Sequence, residues 1–336
     1  MRPWMKFILG LIAIIIVGCA VSRQAGGIGR DFQAYYKAGA RVLTGHHPYV
    51  FEHAYPYKYG PAAVAPFLFF QLFEYHVARW IYCLFHIFAT LAIPWLNLKI
   101  ISSDKKLNIT GSSYFWAIVV GFAGSLRFID GEFQTSQISL WIYAATIAAV
   151  TLLVSAKHVH RLAGVAALAM VSQMKIHSAI MWIALSQKLF ARKNLRYFWP
   201  LVLIFCLPNP AWWLEWARQI KDTTPLLPSN LSAINRQGFF GIAVLMLRWP
   251  EYGVGPWLLS IPFAVYAFLR LPRFSISELA RRDYRLGTGA TGLALTLLSW
   301  MLWGFMASPL PWQHTYSLLW GIIPLTWTLA STRQRQ

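Results

Sequence analysis

Residues 7–21 read FILGLIAIIIVGCAV, an apolar run that follows the basic residues Arg2 and Lys6. An apolar run behind basic residues is typical of a first transmembrane helix. A cleaved lipoprotein signal peptide is the alternative, because the run contains Ile-Val-Gly-Cys near its end. We favour a retained helix, since cleavage would leave the polar segment that follows without an anchor.

The composition extends this interpretation to the whole chain. Hydrophobic residues make up 57% of the 336 residues and charged residues only 12%, whereas soluble domains carry roughly 25% charged residues. The 30 Lys and Arg outnumber the 11 Asp and Glu, which gives a formal net charge of +19. The basic residues form short clusters between apolar runs instead of one soluble face, which argues for a lipid bilayer as partner and against nucleic acid.

Ten apolar runs are candidates for membrane-spanning helices. They begin near Phe7, Val77, Tyr114, Ile138, Leu162, Ala179, Tyr197, Gly255, Gly287 and Thr315. Two shorter runs, Pro61–Phe73 and Phe239–Trp249, suit interfacial or re-entrant helices. We therefore predict one all-α integral membrane domain over residues 1–336, a polytopic bundle of about ten transmembrane helices with short interfacial helices in the external loops.

The distribution of charge predicts the orientation of the bundle. If neither short run crosses the membrane, well over half of the 30 Lys and Arg fall on one side. By the positive-inside rule this side is cytoplasmic. We predict a multi-pass protein of the cell inner membrane with both termini in the cytoplasm. The first external loop is then residues 23–60, the second is residues 127–137 and the third is residues 213–238.

The first external loop contains an amphipathic pattern. Residues 31–45 read DFQAYYKAGARVLTG, and its aromatic and apolar residues repeat at helical spacing opposite Gln33, Lys37 and Arg41. This pattern predicts a short helix that lies on the membrane surface and stops at Gly45. Asp31 at its start suits two compatible roles, an N-cap and a catalytic base.

Charged residues elsewhere leave alternatives open. Lys58 and Lys175 each either extend an ammonium group to the interface or bind a phosphate. Arg236 is either a solvated loop residue or a substrate contact. Asp130 and Glu132 form an i, i+2 pair, for which a solvated turn is favoured over a divalent-ion site. We predict no metal and no other cofactor.

Three motifs occur in a fixed order along the chain. The first combines Asp31-Phe32, Tyr35-Tyr36, Leu43-x-Gly45, Pro48-Tyr49 and Tyr59-Gly60-Pro61; the second is Ser136-Gln137-Ile138-Ser139; the third, at 308–314, reads SPLPWQH. Together they resemble the polyprenol-phosphate-sugar-dependent glycosyltransferases of family 87, C-type membrane glycosyltransferases that include bacterial α-mannosyltransferases. The chain departs from the family's pattern at Gly60, Ser136, Ser139 and Pro311, where the pattern has Pro, Gly, Asn and Ser.

The resemblance implies an inverting glycosyltransferase. It would move a hexose, expected to be mannose, from a polyprenyl-phosphate donor to a hydroxyl group of a glycan or glycolipid acceptor at the external face. Asp31 matches the aspartate that activates the acceptor. Candidates for the donor phosphate are Lys58, Arg236, His314 and Lys175, with His177 and Arg127 behind them. Candidates for substrate binding are Tyr35, Tyr36, Tyr59, Gln137 and Trp312, although an interfacial anchor is the favoured role of Trp312.

Two other classes of protein remain as alternatives. One is a transporter or flippase for a lipid or solute of the cell envelope, and the other is a non-catalytic assembly partner of envelope enzymes. Transporters often show two repeated halves and ionisable residues in the middle of the membrane. The sequence shows no such repeat, which favours the transferase.

Overall fold

The computed structural model describes most of the chain up to residue 223 and two stretches near the C-terminus. The described residues are 2–26, 30–50, 57–103, 110–155, 157–175, 178–179, 181–182, 185, 199–223, 290–307 and 317–333. Their regular structure is entirely helical, without a β-strand among these residues. The all-α class predicted from the sequence is confirmed for this part of the chain.

The described helices are numbered here in chain order. They are α1 (Pro3–Ala25), α2 (Arg30–Leu43), α3 (Pro61–Leu72), α4 (Tyr75–Ser103), α5 (Gly111–Thr135), α6 (Ser139–Leu153), α7 (His158–Met174), α8 (Trp199–Cys206), α9 (Pro210–Thr223), α10 (Ala290–Ala307) and α11 (Leu319–Arg333). In α3 one α-helical turn, Ala65–Leu68, lies between two 3-10 turns. The predicted third external loop, 213–238, therefore begins inside α9.

Among the described helices, α1, α4 and α5 are long and apolar enough to cross a membrane. The outer faces of α1 and α4 carry large apolar side chains such as Phe7, Ile14, Phe88 and Trp95, each more than half exposed. Apolar surface of this kind is expected where a helix faces lipid. Three of the described helices are thus consistent with membrane association, and the total of about ten spans stays a prediction.

Two side-chain hydrogen bonds join α4 and α11. Pro94 of α4 has no N–H group, so it cannot donate to the carbonyl group of Thr90 one turn earlier. The indole N–H of Trp320 in α11 donates to that carbonyl instead, at 2.8 Å. In α11, the main-chain carbonyl of Gly321 accepts a hydrogen bond of 3.0 Å from the side-chain amide of Asn97 in α4. Both side-chain donors are buried, so these bonds fix α11 against α4.

The amphipathic helix predicted in the first loop is present as α2. It ends at Leu43, and Gly45 follows with a φ of 82°, a left-handed conformation that favours glycine and stops the helix. Its apolar face packs against α3 and α4, where Phe32 and Tyr35 are buried. The aromatic side of α2 is therefore covered by protein.

The connection between α5 and α6 is tighter than the sequence suggests. Residues 127–137 were expected to form an external loop, but α5 continues to Thr135 and α6 begins at Ser139. Ser136 ends α5 with a φ of 57°, a conformation that is uncommon outside glycine.

Candidate functional site

Asp31 lies in the first turn of α2, because the helix begins at Arg30. The N-cap role, which requires Asp31 to precede the helix, is therefore corrected, although a carboxylate in the first turn still favours the helix. The side chain of Asp31 is half-buried. Burial raises the pKa of its carboxyl group from 3.8 to about 7, and Lys175 and then Lys58 oppose this shift.

Lys58 reaches the site from the loop before α3. Its main-chain carbonyl accepts a hydrogen bond of 3.0 Å from the indole N–H of Trp216 in α9, which holds the loop in place. Burial lowers the pKa of the Lys58 ammonium group, while the nearby Asp31 opposes this change. The opposite charges of Lys58 and Asp31 therefore stabilise each other.

Lys175 follows the last residue of α7. Its Nζ atom donates a hydrogen bond of 2.6 Å to Oγ of Ser139, the first residue of α6. Burial lowers the pKa of Lys175, and the charges of Glu132 and then Asp31 oppose that change. The charge of Asp31 thus acts on two lysines from separate parts of the chain.

Tyrosine hydroxyl groups lie near the Asp31 carboxyl group. The hydroxyl oxygens of Tyr35 and Tyr59 are 2.7 Å apart, and the hydroxyl of Tyr59 donates to Oε1 of Gln137 at 3.3 Å. The hydroxyl of Tyr82 donates to the carbonyls of Ser136 and Gln137, at 2.9 and 3.1 Å. This chain of bonds connects the first-loop motif with the second motif.

The structure therefore brings together six of the predicted site residues. They are Asp31, Tyr35, Lys58, Tyr59, Gln137 and Lys175. Tyr36 lies outside this group. Its hydroxyl donates a hydrogen bond of 2.8 Å to the carbonyl of Phe73, which connects α2 to the residue that follows α3. Arg127 is an exposed residue of α5. The predicted residues His177, Arg236, Trp312 and His314, the 308–314 motif and the Phe239–Trp249 segment lie outside the described residues.

The predicted solvated pair, Asp130 and Glu132, separates into two different environments. Asp130 forms a double hydrogen bond with the guanidinium group of Arg23 in α1, at 2.9 and 2.6 Å. Glu132 is completely buried, and its Oε2 atom accepts a hydrogen bond of 3.0 Å from the main-chain N–H of Ser139. The solvated interpretation is therefore wrong for Glu132, because α5 continues past it and turns it inward.

Sequence reasoning missed Glu132, Ser139 and Gln173 as site residues. Glu132 had a usable signal: with α5 extended to Thr135, it continues the buried stripe of Ser125, Ile129 and Phe133. Ser139 stood in a quoted motif without an assigned role. For Gln173, which is buried next to Gly60, no local pattern in the sequence indicated a place in the site.

These groups can perform acid–base chemistry and bind an anion. A carboxyl group with a pKa near neutrality is suited to take a proton from a hydroxyl group, and two partly buried ammonium groups are suited to stabilise a leaving phosphate. In the part of the chain that the structure describes, no three His, Cys, Asp or Glu side chains are placed to hold a metal ion. Comparison of the chain with protein-family models, curated proteins and solved structures gives no significant match.

Proposed function

We propose that the chain is an inverting membrane glycosyltransferase. It moves a hexose, expected to be mannose, from a polyprenyl-phosphate donor to an acceptor hydroxyl group of a glycan or glycolipid. The observation that carries this proposal is the placement of the Asp31 carboxyl group within the influence of both Lys58 and Lys175, in a site that also contains Tyr59 and Gln137. The reaction occurs at the external face of the cell inner membrane, with both termini in the cytoplasm.

The chemistry of the proposed step requires one base and no acid. Asp31 takes the proton of the acceptor hydroxyl while its oxygen attacks the anomeric carbon from the side opposite the phosphate. The bond between the anomeric carbon and the phosphate oxygen breaks, and polyprenyl phosphate leaves as an anion. Lys58 and Lys175 stabilise the negative charge that develops on the phosphate. A leaving phosphate needs no protonation, unlike the leaving oxygen in glycoside hydrolysis.

The test is transfer of labelled mannose by the purified full-length protein. The donor is a synthetic polyprenyl-phosphate mannose, and the acceptors are alkyl mannosides and mannose-bearing glycolipids. We expect product with the wild type and none with Asp31→Asn, which should still bind the donor. Gln33→Ala, on the exposed face of the same helix, serves as the matched control. Full activity of Asp31→Asn would overturn the assignment of the base.

A lipid transporter is the second candidate, and a specific observation supports it. Glu132 of α5 and His86 of α4 are both buried, with 4.0 Å between their nearest N and O atoms, and buried ionisable residues in membrane helices often mark transport paths. Vesicles containing the protein and a fluorescent polyprenyl phosphate distinguish the candidates. Faster movement of the lipid across the bilayer, without sugar transfer, would favour the transporter.

A further inference from the structure

Glu132 is a buried carboxylate to which the proposed reaction gives no role. It lies near the end of α5, and none of its side chain is exposed. Its Oε2 atom accepts the hydrogen bond from the N–H of Ser139, while its Oε1 atom has no hydrogen-bond partner within the described ranges. A buried charge is costly unless another charge or hydrogen bonds compensate it, so the surroundings of Glu132 should contain its partner.

Ser139 connects Glu132 to that partner. Its main-chain N–H binds Glu132, and its Oγ atom accepts the 2.6 Å hydrogen bond from Nζ of Lys175. One residue at the start of α6 thus joins the carboxylate of α5 to the ammonium group at the end of α7. A hydrogen bond to a charged group fixes the position of a long, flexible side chain more firmly than a neutral bond does.

The charges around Lys175 come from several elements. Glu132 on α5 has the largest charge effect on it, followed by Asp31 on α2, and Lys58 faces Asp31 from the loop before α3. His86 of α4 lies beside Glu132. If Glu132 were neutral, Asp31 alone would have to balance two lysines, and burial would favour the uncharged amine at Lys175.

We propose that Glu132 is a positioning residue that, through Ser139, holds Lys175 in place as a cation facing Asp31. This inference deepens the proposed function and rests on it for its catalytic meaning. Lys175 contacts the leaving phosphate, and Glu132 acts only through Lys175. Asp31 is thereby left free to take the proton of the acceptor hydroxyl, because Glu132 supplies the larger share of the counter-charge of Lys175.

The first test does not depend on enzymatic activity. The protein is treated with an amine-acylating reagent over a range of pH, and modification of Lys175 is quantified by mass spectrometry. Only the neutral amine reacts, so Glu132→Gln should move half-modification of Lys175 to lower pH by roughly one unit, the usual effect of losing one nearby opposite charge. Glu132→Asp should retain the wild-type profile in part. Identical profiles for wild type and Glu132→Gln would overturn the proposal.

Matched variants guard against indirect effects. Asp130→Asn removes a carboxylate two residues away that is paired with Arg23, and it should leave the Lys175 profile unchanged. If Glu132→Gln does not fold, Ser139→Ala breaks the side-chain link to Lys175 and should give a smaller shift in the same direction. No shift in that variant, with Glu132→Gln also unfolded, counts against the inference.

The second test uses sugar transfer from the synthetic polyprenyl-phosphate mannose. In Glu132→Gln the fall of kcat/KM on the alkaline side should begin at lower pH than in wild type, while Asp130→Asn keeps the wild-type profile. A wild-type protein that transfers no sugar but shows the acylation shift would refute the proposed function and leave the charge link intact. If the wild type transfers sugar but Glu132→Gln shifts neither the acylation profile nor the kcat/KM profile, the proposed role of Glu132 is refuted and the proposed function stands.

Discussion

The main-chain N–H of Gly60 donates a hydrogen bond of 2.7 Å to the carbonyl oxygen of Gln173. A Cβ atom at residue 60 would lie 2.0 Å from Oε1 of Gln173 and 3.2 Å from its carbonyl oxygen. The side chain of Gln173 is buried, and neither atom of its amide has a hydrogen-bond partner among the described residues. This contact explains why residue 60 is a glycine: the loop before α3 packs directly on the end of α7.

Substitutions at Gly60 should separate crowding from the loss of the hydrogen bond. We expect Gly60→Ala to destabilise the protein by about 1–3 kcal/mol, since its Cβ atom forces the buried Gln173 amide to move. Gly60→Pro suits the observed φ of −59°, yet it crowds Gln173 and also removes the N–H donor. Thermal unfolding in detergent measures both variants.

A second substitution identifies the clashing atoms. In a Gln173→Ala background, the cost of Gly60→Ala should largely disappear, because Oε1 and Cδ of Gln173 are gone. Part of the cost of Gly60→Pro should remain, because the carbonyl of residue 173 still lacks its donor. Equal costs of Gly60→Ala in both backgrounds would contradict the proposed contact.

The activity of the proposed transferase should depend on the ionisation of Asp31. Its raised pKa, about 7, predicts a rate that rises with pH through neutrality to a plateau, since only the carboxylate accepts the proton, and that falls again at the alkaline pH where Lys175 loses its proton. The pH profile of kcat/KM measures this. A profile that is already flat from pH 5 upward would show that Asp31 has an ordinary pKa.

The same shift predicts an effect on stability. The folded-state pKa of Asp31 lies above the unfolded value of 3.8, so the folded state binds the proton more tightly. The contribution of this group to stability is therefore fully present below pH 4 and is lost as the pH rises through about 7. Asp31→Asn should be at least as stable as wild type at pH 8, with the difference vanishing near pH 4. Denaturant unfolding at several pH values tests this expectation.

The two tyrosines of the site should differ in importance. Tyr35→Phe removes one hydrogen bond, whereas Tyr59→Phe removes the bonds to both Tyr35 and Gln137. We expect Tyr59→Phe to lower sugar transfer by about tenfold and Tyr35→Phe by less, since one positioning bond contributes about 1 kcal/mol. Tyr75→Phe, at the start of α4, is the control. A larger loss for Tyr35→Phe than for Tyr59→Phe would contradict the central place of Tyr59 between Tyr35 and Gln137.

The ion pair between Arg23 and Asp130 should contribute modestly to stability. Both side chains are partly exposed, at 38% and 28%, and pairs of this kind contribute less than about 1 kcal/mol. We expect the double variant Arg23→Asp with Asp130→Arg to recover most of the stability that either single variant loses. Unfolding temperatures at low and high salt measure the coupling, which should weaken in high salt.

Local patterns in the sequence were sufficient for the class of the protein. Long apolar runs predicted helices and a membrane location, because a helix within lipid must satisfy its own backbone. Spacing alone predicted α2 and its stop at Gly45. For the site, the resemblance selected Asp31 and Tyr59, the positive charge of the predicted external side indicated Lys58 and Lys175, and the structure brings these four together.

The tertiary structure decided which side chains are turned inward. The buried stripe of α5 includes Glu132 only if the helix continues to Thr135, and the polar sequence around Glu132 fits a solvated turn equally well. Its burial depends on α6 and on Lys175 at the end of α7, residues far along the chain. The contact between Gly60 and Gln173 likewise joins two segments that are distant in sequence, and no local pattern in either segment predicts the contact. Helical class follows from the periodicity of each segment, whereas the partners of a buried polar group depend on how separate segments pack.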